Sequence, residues 1–258
     1  MKLRLLPSSF DNDGSASARQ HLTCLVVNDR VAIDAGSLAM GANDAERAQV
    51  RDVVLSHAHL DHVAGLPLFL DDLFSSLTEP VRVHATKEVI EVLEKDLFNW
   101  SMYPKFSELR NRAGLVVEYV QFSNGTEFKV GELLLTPVGV NHKVPSSGFI
   151  LTDGKVRIGI TGDTASMEEF WDEASKNGGL DALLIECAFP DELADLAATS
   201  HHLTPSALKR ELERAKLTDC MIYIVNIKPS YRNVVIDELA EHKIPNLEVL
   251  EVGRTYQW

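Results

Sequence analysis

One short segment concentrates the side chains with the most chemical potential. Residues 56–65 read SHAHLDHVAG after the apolar run DVVL, so a strand is predicted to end in a loop of metal donors. His57 and His59 are two positions apart, and at an extended strand end their imidazoles project to the same side. Asp61 and His62 follow where a helix begins, and can address a second point at the spacing of paired metal ions, about 3.5–4 Å. These side chains are ligands for zinc, iron or manganese.

Further donors follow later strands. His142 comes two residues after the strand-like run ELLLTPVGV, and Asp163 lies in TGDT after the strand pair SGFILTDGKVRIGI. Glu186 ends the buried strand predicted within LDALLIECAFP. Each position alone is weak support for a site.

Two adjacent histidines precede a predicted helix. His201 and His202 stand before Thr204 and Pro205, which open the helix as cap residue and first-turn proline. A solvated helix cap explains such a pair as well as a catalytic role does. The role of His201 stays open.

An aromatic segment interrupts the regular alternation of elements. Residues 97–106, LFNWSMYPKF, carry Trp100, Tyr103 and Phe106 around Pro104. These rings either cap a core or form a stacking wall for a nucleobase.

The order of elements indicates an α/β fold. Strands are predicted at 2–6, 22–28, 31–34, 52–55 and 81–85, with helices over 60–75 and 87–98. A second run of strands begins at residue 115, and helices and strands alternate again from residue 167 to LEVLEV, with one helix running through SALKRELERAK. Two runs of strands with helices after each predict an αββα sandwich of two mixed β-sheets with helices on the outer faces, in one domain over 1-258.

Composition limits the possible partners. The chain has 25 Lys and Arg against 38 Asp and Glu, a net charge of −13, and no basic block. We therefore expect no extended nucleic acid partner. A small anion can still bind at a metal centre, where local cations dominate.

The termini and cysteines point to one compartment. The N-terminal MKLRLLPSSFDNDG lacks the apolar stretch of a signal peptide, and no run approaches the roughly 18 residues of a membrane span. Cys24, Cys187 and Cys220 are odd in number and form no C-x-x-C pair. We expect a soluble, cytoplasmic protein with buried reduced thiols and no membrane partner.

The sequence resembles the metallo-β-lactamase superfamily, whose signature is H-x-H-x-D-H after a strand. It is most similar to the class II cyclic nucleotide phosphodiesterases, over nearly the whole chain. HLDHVAGLPL resembles that family's first motif, and MYPKF its aromatic-Pro-x-Phe segment, with Tyr103 where tryptophan is usual. IECAFPDEL resembles a Glu-Ser-Ser-Phe-Pro segment, while HLTP and YIVNIKP resemble Gly-His-Leu-Thr-Pro and His-Ile-Lys-Pro segments.

The resemblance implies a site with two divalent metal ions, zinc first, with manganese or iron as options. The implied ligands of one ion are His57, His59, His142 and Asp163, and those of the other are Asp61, His62, Asp163 and the residue at position 226. The family has a histidine at that last position, and this chain has Asn226. A carbonyl oxygen binds zinc more weakly than imidazole does, so the second ion is expected to be held less tightly.

The resemblance also implies a reaction. A metal-bridged hydroxide at Asp61 and Asp163 would attack the phosphorus of a 3′,5′-cyclic nucleotide such as cyclic AMP. His202, oriented by Glu186, would protonate the leaving 3′-oxygen and yield a nucleoside 5′-monophosphate. Substrate contacts are expected from Trp100, Tyr103, Phe106 and Lys228.

Two other functions remain open. One is a tRNA 3′-end processing endonuclease, which shares the metal motif, although the acidic balance of the chain argues against it. The other is a non-catalytic member of the superfamily that binds a nucleotide or a metal. The sequence leaves the oligomeric state open, with a homodimer among the options.

Overall fold

Two compact units make up the chain. The computed structural model describes residues 1–215, 217 and 219–258. The first unit comprises Met1–Ser123 and Val252–Gln257, and the second comprises Asn124–Glu251 with Trp258–Trp258. Each unit contains one seven-stranded mixed β-sheet together with helices. This confirms the predicted α/β fold with two mixed sheets, while the single domain over 1-258 stays a prediction.

The elements are numbered in chain order. The strands are β1 (Lys2–Leu5), β2 (Leu25–Val27), β3 (Val31–Ile33), β4 (Asp52–Val54), β5 (Val81–Ala85), β6 (Val117–Gln121), β7 (Phe128–Val130), β8 (Leu133–Gly139), β9 (Ser147–Thr152), β10 (Arg157–Ile160), β11 (Ala182–Glu186), β12 (Met221–Val225), β13 (Leu247–Val249) and β14 (Thr255–Gln257). The α-helices are α1 (Leu38–Gly41), α2 (Asp44–Gln49), α3 (Leu60–Val63), α4 (Gly65–Leu73), α5 (Lys87–Val92), α6 (Glu168–Ala174), α7 (Ala194–Ser200), α8 (Pro205–Ala215) and α9 (Arg232–His242).

The first unit is built on the sheet β14-β1-β2-β3-β4-β5-β6. Strands β3 to β6 are parallel, and the remaining pairs are antiparallel. All three residues of β4 are buried, as expected for a parallel strand covered on both faces. Leu66, Phe69 and Leu70 of α4 are buried in the same core as Val53 and Val83 of the sheet. Residues 56–65, which follow β4, are called the histidine segment. The strand that leads into this segment is therefore buried on both faces.

Two glycines let the histidine segment lie against the end of β3. A Cβ atom on Gly36 would overlap the carbonyl oxygen of Asp61, and one on Gly65 would come within 2.5 Å of the Ala35 carbonyl oxygen. Backbone hydrogen bonds close this approach: Thr23 donates to Asp61 at 2.8 Å, and Ala35 donates to His62 at 2.7 Å. The histidine segment is thus fixed by main-chain contacts as well as by its side chains.

The second unit is built on the sheet β13-β12-β11-β10-β9-β8-β7. Strands β10 to β13 are parallel, and β7 to β10 are antiparallel. Every residue of β11 is buried, and Leu183 and Ile185 share a core with Phe170 and Ile224. The carboxyl ends of parallel strands meet at one edge of a sheet, where functional side chains of α/β proteins gather. Asp163, Glu186 and Asn226 all lie at or just after such ends.

The structure differs from the sequence predictions in particular places. The helix predicted over 60–75 is divided into α3 and α4, because the amide of Gly65 donates to Ala35 at 3.0 Å instead of continuing the helical ladder. Strand β14 and helices α1 and α2 were not predicted, since each is short. The predicted helix through SALKRELERAK extends to Lys216, which lies outside the described residues.

Other expectations concern single residues. All three cysteines are buried and free, which confirms the prediction of reduced thiols. His242 of α9 is half-buried, with Nε2 3.4 Å from the Ser206 hydroxyl. In the part of the chain that the structure describes, none of the helices combines the length and apolar character needed to cross a membrane.

Replacing Gly36 with alanine should destabilise the first unit. The new methyl group overlaps a backbone oxygen that cannot move independently, and overpacking of this kind typically costs about 1–3 kcal/mol of unfolding free energy. Chemical denaturation of Gly36→Ala measures the loss. Gly139→Ala is the matched control, because its Cβ would meet its nearest atom at 3.4 Å. Equal stability of the two variants would contradict the close approach.

Candidate functional site

In the first unit, one buried carboxylate orders the histidine segment. Asp34 follows β3 and is 3% exposed. Its Oδ2 atom lies 2.7 Å from His62 Nδ1, and its Oδ1 atom accepts hydrogen bonds from the Ser56 amide at 2.8 Å and the Ser56 hydroxyl at 2.9 Å. The Ser56 oxygen in turn lies 2.9 Å from His57 Nδ1. Because the Ser56 hydroxyl donates its hydrogen bond to Asp34, its oxygen is the acceptor for the hydrogen bond from His57 Nδ1–H.

These contacts fix which ring nitrogen each histidine can offer. His57 and His62 use Nδ1 toward protein oxygens, which leaves Nε2 as the donor atom for a metal. The ring of His57 lies 4.7 Å from that of His59 and 4.2 Å from that of His62, centroid to centroid. Asp61 Oδ2 lies 4.0 Å from His62 Nε2. The first unit therefore brings together the donors predicted from H-x-H-x-D-H.

Asp34 was missed by the sequence reasoning. It is the last residue of the strand predicted at 31–34, and the sequence pattern assigns it no role in a site. Its φ of +58° is a left-handed conformation that Asp and Asn tolerate better than other residues with a Cβ. The signal available in the sequence was an acidic residue at a strand end, two positions before Gly36.

In the second unit, an acid–base pair lies beside Asp163. Donor atoms of Asp163, Glu186 and His202 all lie within 4.8 Å of one another. Glu186 is fully buried, lies 2.7 Å from His202 Nδ1 and accepts hydrogen bonds from the amides of Thr164 at 2.8 Å and Leu203 at 3.3 Å. The predicted partnership of Glu186 with His202 therefore has a specific geometry, and Thr164 and Leu203 hold the carboxylate in place.

The electrostatics of this pair favour a protonated imidazole. Burial by itself lowers the pKa of His202, but the hydrogen bond and negative charge of Glu186 outweigh it and raise that pKa above its usual range. Lys228, in the segment after β12, acts on the same pKa in the downward direction. The arrangement can hold a proton on an imidazole next to a second carboxylate.

His142 is oriented by a backbone carbonyl. Its Nδ1 atom lies 3.1 Å from the His201 carbonyl oxygen, and its ring centroid is 5.1 Å from that of His202. The second unit therefore brings His142, Asp163, Glu186 and His202 to one region. In His142, as in His57 and His62, the Nε2 atom is the one directed away from an anchoring protein oxygen.

Asn226 lies next to Asp163, with its amide nitrogen facing the carboxylate. Its Nδ2 donates to Asp163 Oδ1 at 2.6 Å, and its φ is +53°. The expectation was that the Asn226 carbonyl oxygen acts as a metal ligand. In this orientation Asn226 instead holds Asp163, and its role as a ligand stays a prediction.

The aromatic segment divides between surface and core. Trp100 is 58% exposed and Tyr103 is half-buried, whereas Phe106 is 1% exposed. Phe106 packs against Phe98 at 5.8 Å between ring centroids. The expectation that Phe106 stacks on a substrate is wrong, because a ring enclosed by the core has no face to offer. Of the three, Trp100 presents the most surface.

The donor set fits a divalent metal. In metalloproteins, the ring nitrogen of a ligand histidine that does not bind the metal usually donates a hydrogen bond to a carboxylate or carbonyl oxygen. This bond fixes the orientation of the ring and its tautomer. His62 and His142 show such a contact at Nδ1. His57 Nδ1 instead contacts the Ser56 hydroxyl, which is itself bound to the Asp34 carboxylate. Imidazoles combined with carboxylates are ligands for zinc, iron and manganese.

Comparison with known proteins gives a family and a fold. The model of a beta-lactamase superfamily domain matches residues 29–222. The metallo-beta-lactamase fold protein YhfI of Bacillus subtilis has a similar crystal structure, with a TM-score of 0.75 and 15% identity, covering 99% of this chain and 98% of that one.

Two curated relatives differ in what they are named. A probable 3′,5′-cyclic-nucleotide phosphodiesterase of Yersinia pestis is 26% identical over 236 residues, 79% of this chain and 66% of that protein. The chloroplastic tRNase Z TRZ2 of Arabidopsis thaliana is 23% identical over 132 residues, 51% of this chain and 34% of that protein. The chain thus spans slightly less than two thirds of the length of the first relative and about a third of the second. Because the family model covers most of the chain, the chain belongs to the beta-lactamase superfamily, and its fold is the metallo-β-lactamase fold.

Proposed function

We propose that this chain is a metal-dependent phosphodiesterase that hydrolyses 3′,5′-cyclic nucleotides to nucleoside 5′-monophosphates. The observation that carries the proposal is the Glu186–His202 pair, whose atoms lie within 4.8 Å of Asp163. Cleavage of an unactivated phosphodiester needs a proton for the leaving alkoxide, and an imidazole held by a buried carboxylate is suited to give it. The name of the Yersinia pestis relative supports a cyclic nucleotide as the substrate.

Metal ions are part of the proposal. The metallo-β-lactamase fold implies the use of divalent metal, and the resemblance assigns the ligands. We propose His57, His59, His142 and Asp163 as ligands of one ion, and Asp61, His62 and Asp163 as ligands of the other. Such ions, zinc first, would supply Lewis-acid stabilisation of the phosphoryl oxygens and activation of a water.

The protein's own groups handle the proton and the substrate. Since Glu186 engages Nδ1 of His202, Nε2 is the nitrogen that can donate to the departing 3′-oxygen. Lys228 supplies a positive charge that acts on His202 and can attract the phosphate. Trp100 and Tyr103 offer ring surface for one base.

A tRNA 3′-end endonuclease is the second candidate, favoured by the Arabidopsis thaliana relative. That likeness covers 34% of the relative. A net charge of −13 opposes binding of an extended polyanion, whose affinity depends on many Lys and Arg contacts to phosphates. The aromatic segment offers ring surface for one base, which favours a cyclic nucleotide over a tRNA. A cytoplasmic location and a homodimer stay predictions.

The first prediction for this function concerns the substrate. The metal-loaded protein should cleave cyclic AMP or cyclic GMP with a kcat/KM well above that for a precursor tRNA at physiological salt. Chromatography of the nucleotide products would show 5′-monophosphate. Efficient tRNA cleavage, with no turnover of either cyclic nucleotide, would replace the proposal by the endonuclease.

A second prediction concerns His202 as the proton donor. His202→Ala should lower kcat/KM for cyclic AMP by about 10²–10⁴-fold, the usual contribution of a general acid. The same variant should lose much less on bis(p-nitrophenyl) phosphate, because nitrophenolate leaves without a proton. His21→Ala is the control, since His21 is exposed. An equal loss on both substrates would remove His202 from this role.

A third prediction concerns Asn226. With an amide in place of imidazole, the purified chain should keep about one ion firmly and gain rate on added Mn²⁺ or Zn²⁺. Asn226→His should need less added metal, and histidine tolerates a φ of +53° better than most residues. Asn246→His, at a φ of +56°, is the matched control. Metal analysis and titration of the chelated protein decide it, and two equally tight ions in the wild type would contradict the prediction.

A further inference from the structure

Asn141 joins three segments of the second unit. It lies in the loop after β8, one residue before His142. Its carbonyl oxygen accepts the Ala165 amide at 2.9 Å, and its Nδ2 donates to the Ser166 hydroxyl at 3.3 Å. Its Oδ1 accepts from His201 Nδ1 at 2.8 Å. The segments that carry His142 and His202, and the one that follows Asp163, thus meet at one side chain.

His201 completes a closed path back to His142. It caps the C-terminus of α7 with a φ of +57° and a ψ of +57°. In this left-handed conformation its carbonyl oxygen lies 3.1 Å from His142 Nδ1. The backbone carbonyl of His201 therefore accepts a hydrogen bond from His142 Nδ1–H, while the His201 imidazole contacts the residue just before His142. Both contacts act on the same loop.

The backbone conformation of His201 is one that glycine adopts with less strain than histidine does. Left-handed backbone is unfavourable for a residue with a Cβ, and glycine is the usual occupant of such helix caps. Glycine at this position would still have a backbone carbonyl oxygen for His142 but would lose the side-chain bond to Asn141. The chain bears the strain and keeps the side-chain bond.

We propose that the Asn141–His201 pair is a latch that positions His142 as a metal donor. The latch holds the loop so that the Nδ1–H group of His142 keeps donating to the His201 carbonyl oxygen, and Nε2 is the nitrogen that serves as the metal donor. Asn141 and His201 are positioning residues, and they touch neither substrate nor metal. The inference rests on the proposed role of His142 as a ligand, and it is independent of the identity of the substrate.

The test measures Zn²⁺ affinity by chelator competition, with no nucleotide present. His201→Gly and Asn141→Ala should each weaken binding by about 10-fold, the lower end of what contacts behind metal ligands contribute. The double variant should bind about as weakly as either single variant, because the two residues act as one unit. His201→Asn should bind close to the wild type, since an Asn amide matches the donor at Nδ1 and tolerates the left-handed backbone.

A matched control separates the latch from simple relief of strain. Lys243 caps the C-terminus of α9 with a φ of +50°. Both Lys243→Gly and His201→Gly should leave the Tm of the metal-free protein unchanged or raised, because glycine removes the left-handed strain. Only His201→Gly should change Zn²⁺ affinity. In metal-free protein, ¹⁵N NMR should show the Nδ1–H tautomer of His142 in the wild type and a mixture of tautomers in His201→Gly.

The outcomes distinguish the latch from the metal site. If His142→Ala weakens Zn²⁺ binding while His201→Gly stays within about twofold of the wild type, the latch is overturned and the ligand assignment stands. If His142→Ala has no effect, the proposed ligand role fails and the latch fails with it. Additive losses in the double variant would also overturn the latch, because they would show two independent contacts.

Discussion

The buried carboxylate of Asp34 is the contact on which the order of the histidine segment depends. A charge that is 3% exposed is tolerable only when its oxygens are satisfied, and Asp34 receives the Ser56 amide and hydroxyl and the imidazole of His62. Each of these bonds also sets an orientation: His62 directly, and His57 through the Ser56 oxygen. The solvation requirement of one carboxylate thereby fixes two predicted metal donors. Gly36 and Gly65 allow the backbone to come close enough for the network to close.

In the second unit, the pairing of parallel strands brings the functional side chains together. Asp163 and Asn226 follow β10 and β12, and Glu186 ends β11, which lies between them. Parallel pairing aligns these ends, so residues far apart in sequence reach one edge without any special loop. Glu186 is fully buried there, and its two backbone donors and His202 meet the cost of that burial. The requirement to satisfy a buried acid again orders the imidazole that is proposed to transfer the proton.

Much of this could be predicted from the sequence because local patterns determine it. The apolar run before H-x-H-x-D-H predicted β4, and the cap and proline at Thr204 and Pro205 predicted the start of α8. Partners distant along the chain could not be predicted in this way. Asp34 has no periodicity to mark it, and the contact between His201 and Asn141 depends on how two loops fold. The error at Phe106 has a related cause, since an aromatic residue in a loop can face solvent or core and only packing decides.

Left-handed backbone recurs beside the predicted ligands and gives these distant contacts a common physical origin. Asp34, His201 and Asn226 have φ values of +58°, +57° and +53°. Each uses its conformation to direct a polar group: Asp34 toward His62, the His201 carbonyl toward His142, and the Asn226 amide toward Asp163. Strain of this kind persists only where the surroundings over-determine it, and it clusters at functional sites. In this chain hydrogen bonds offset the unfavourable backbone conformations. The same hydrogen bonds hold the proposed ligands in position before any ion binds.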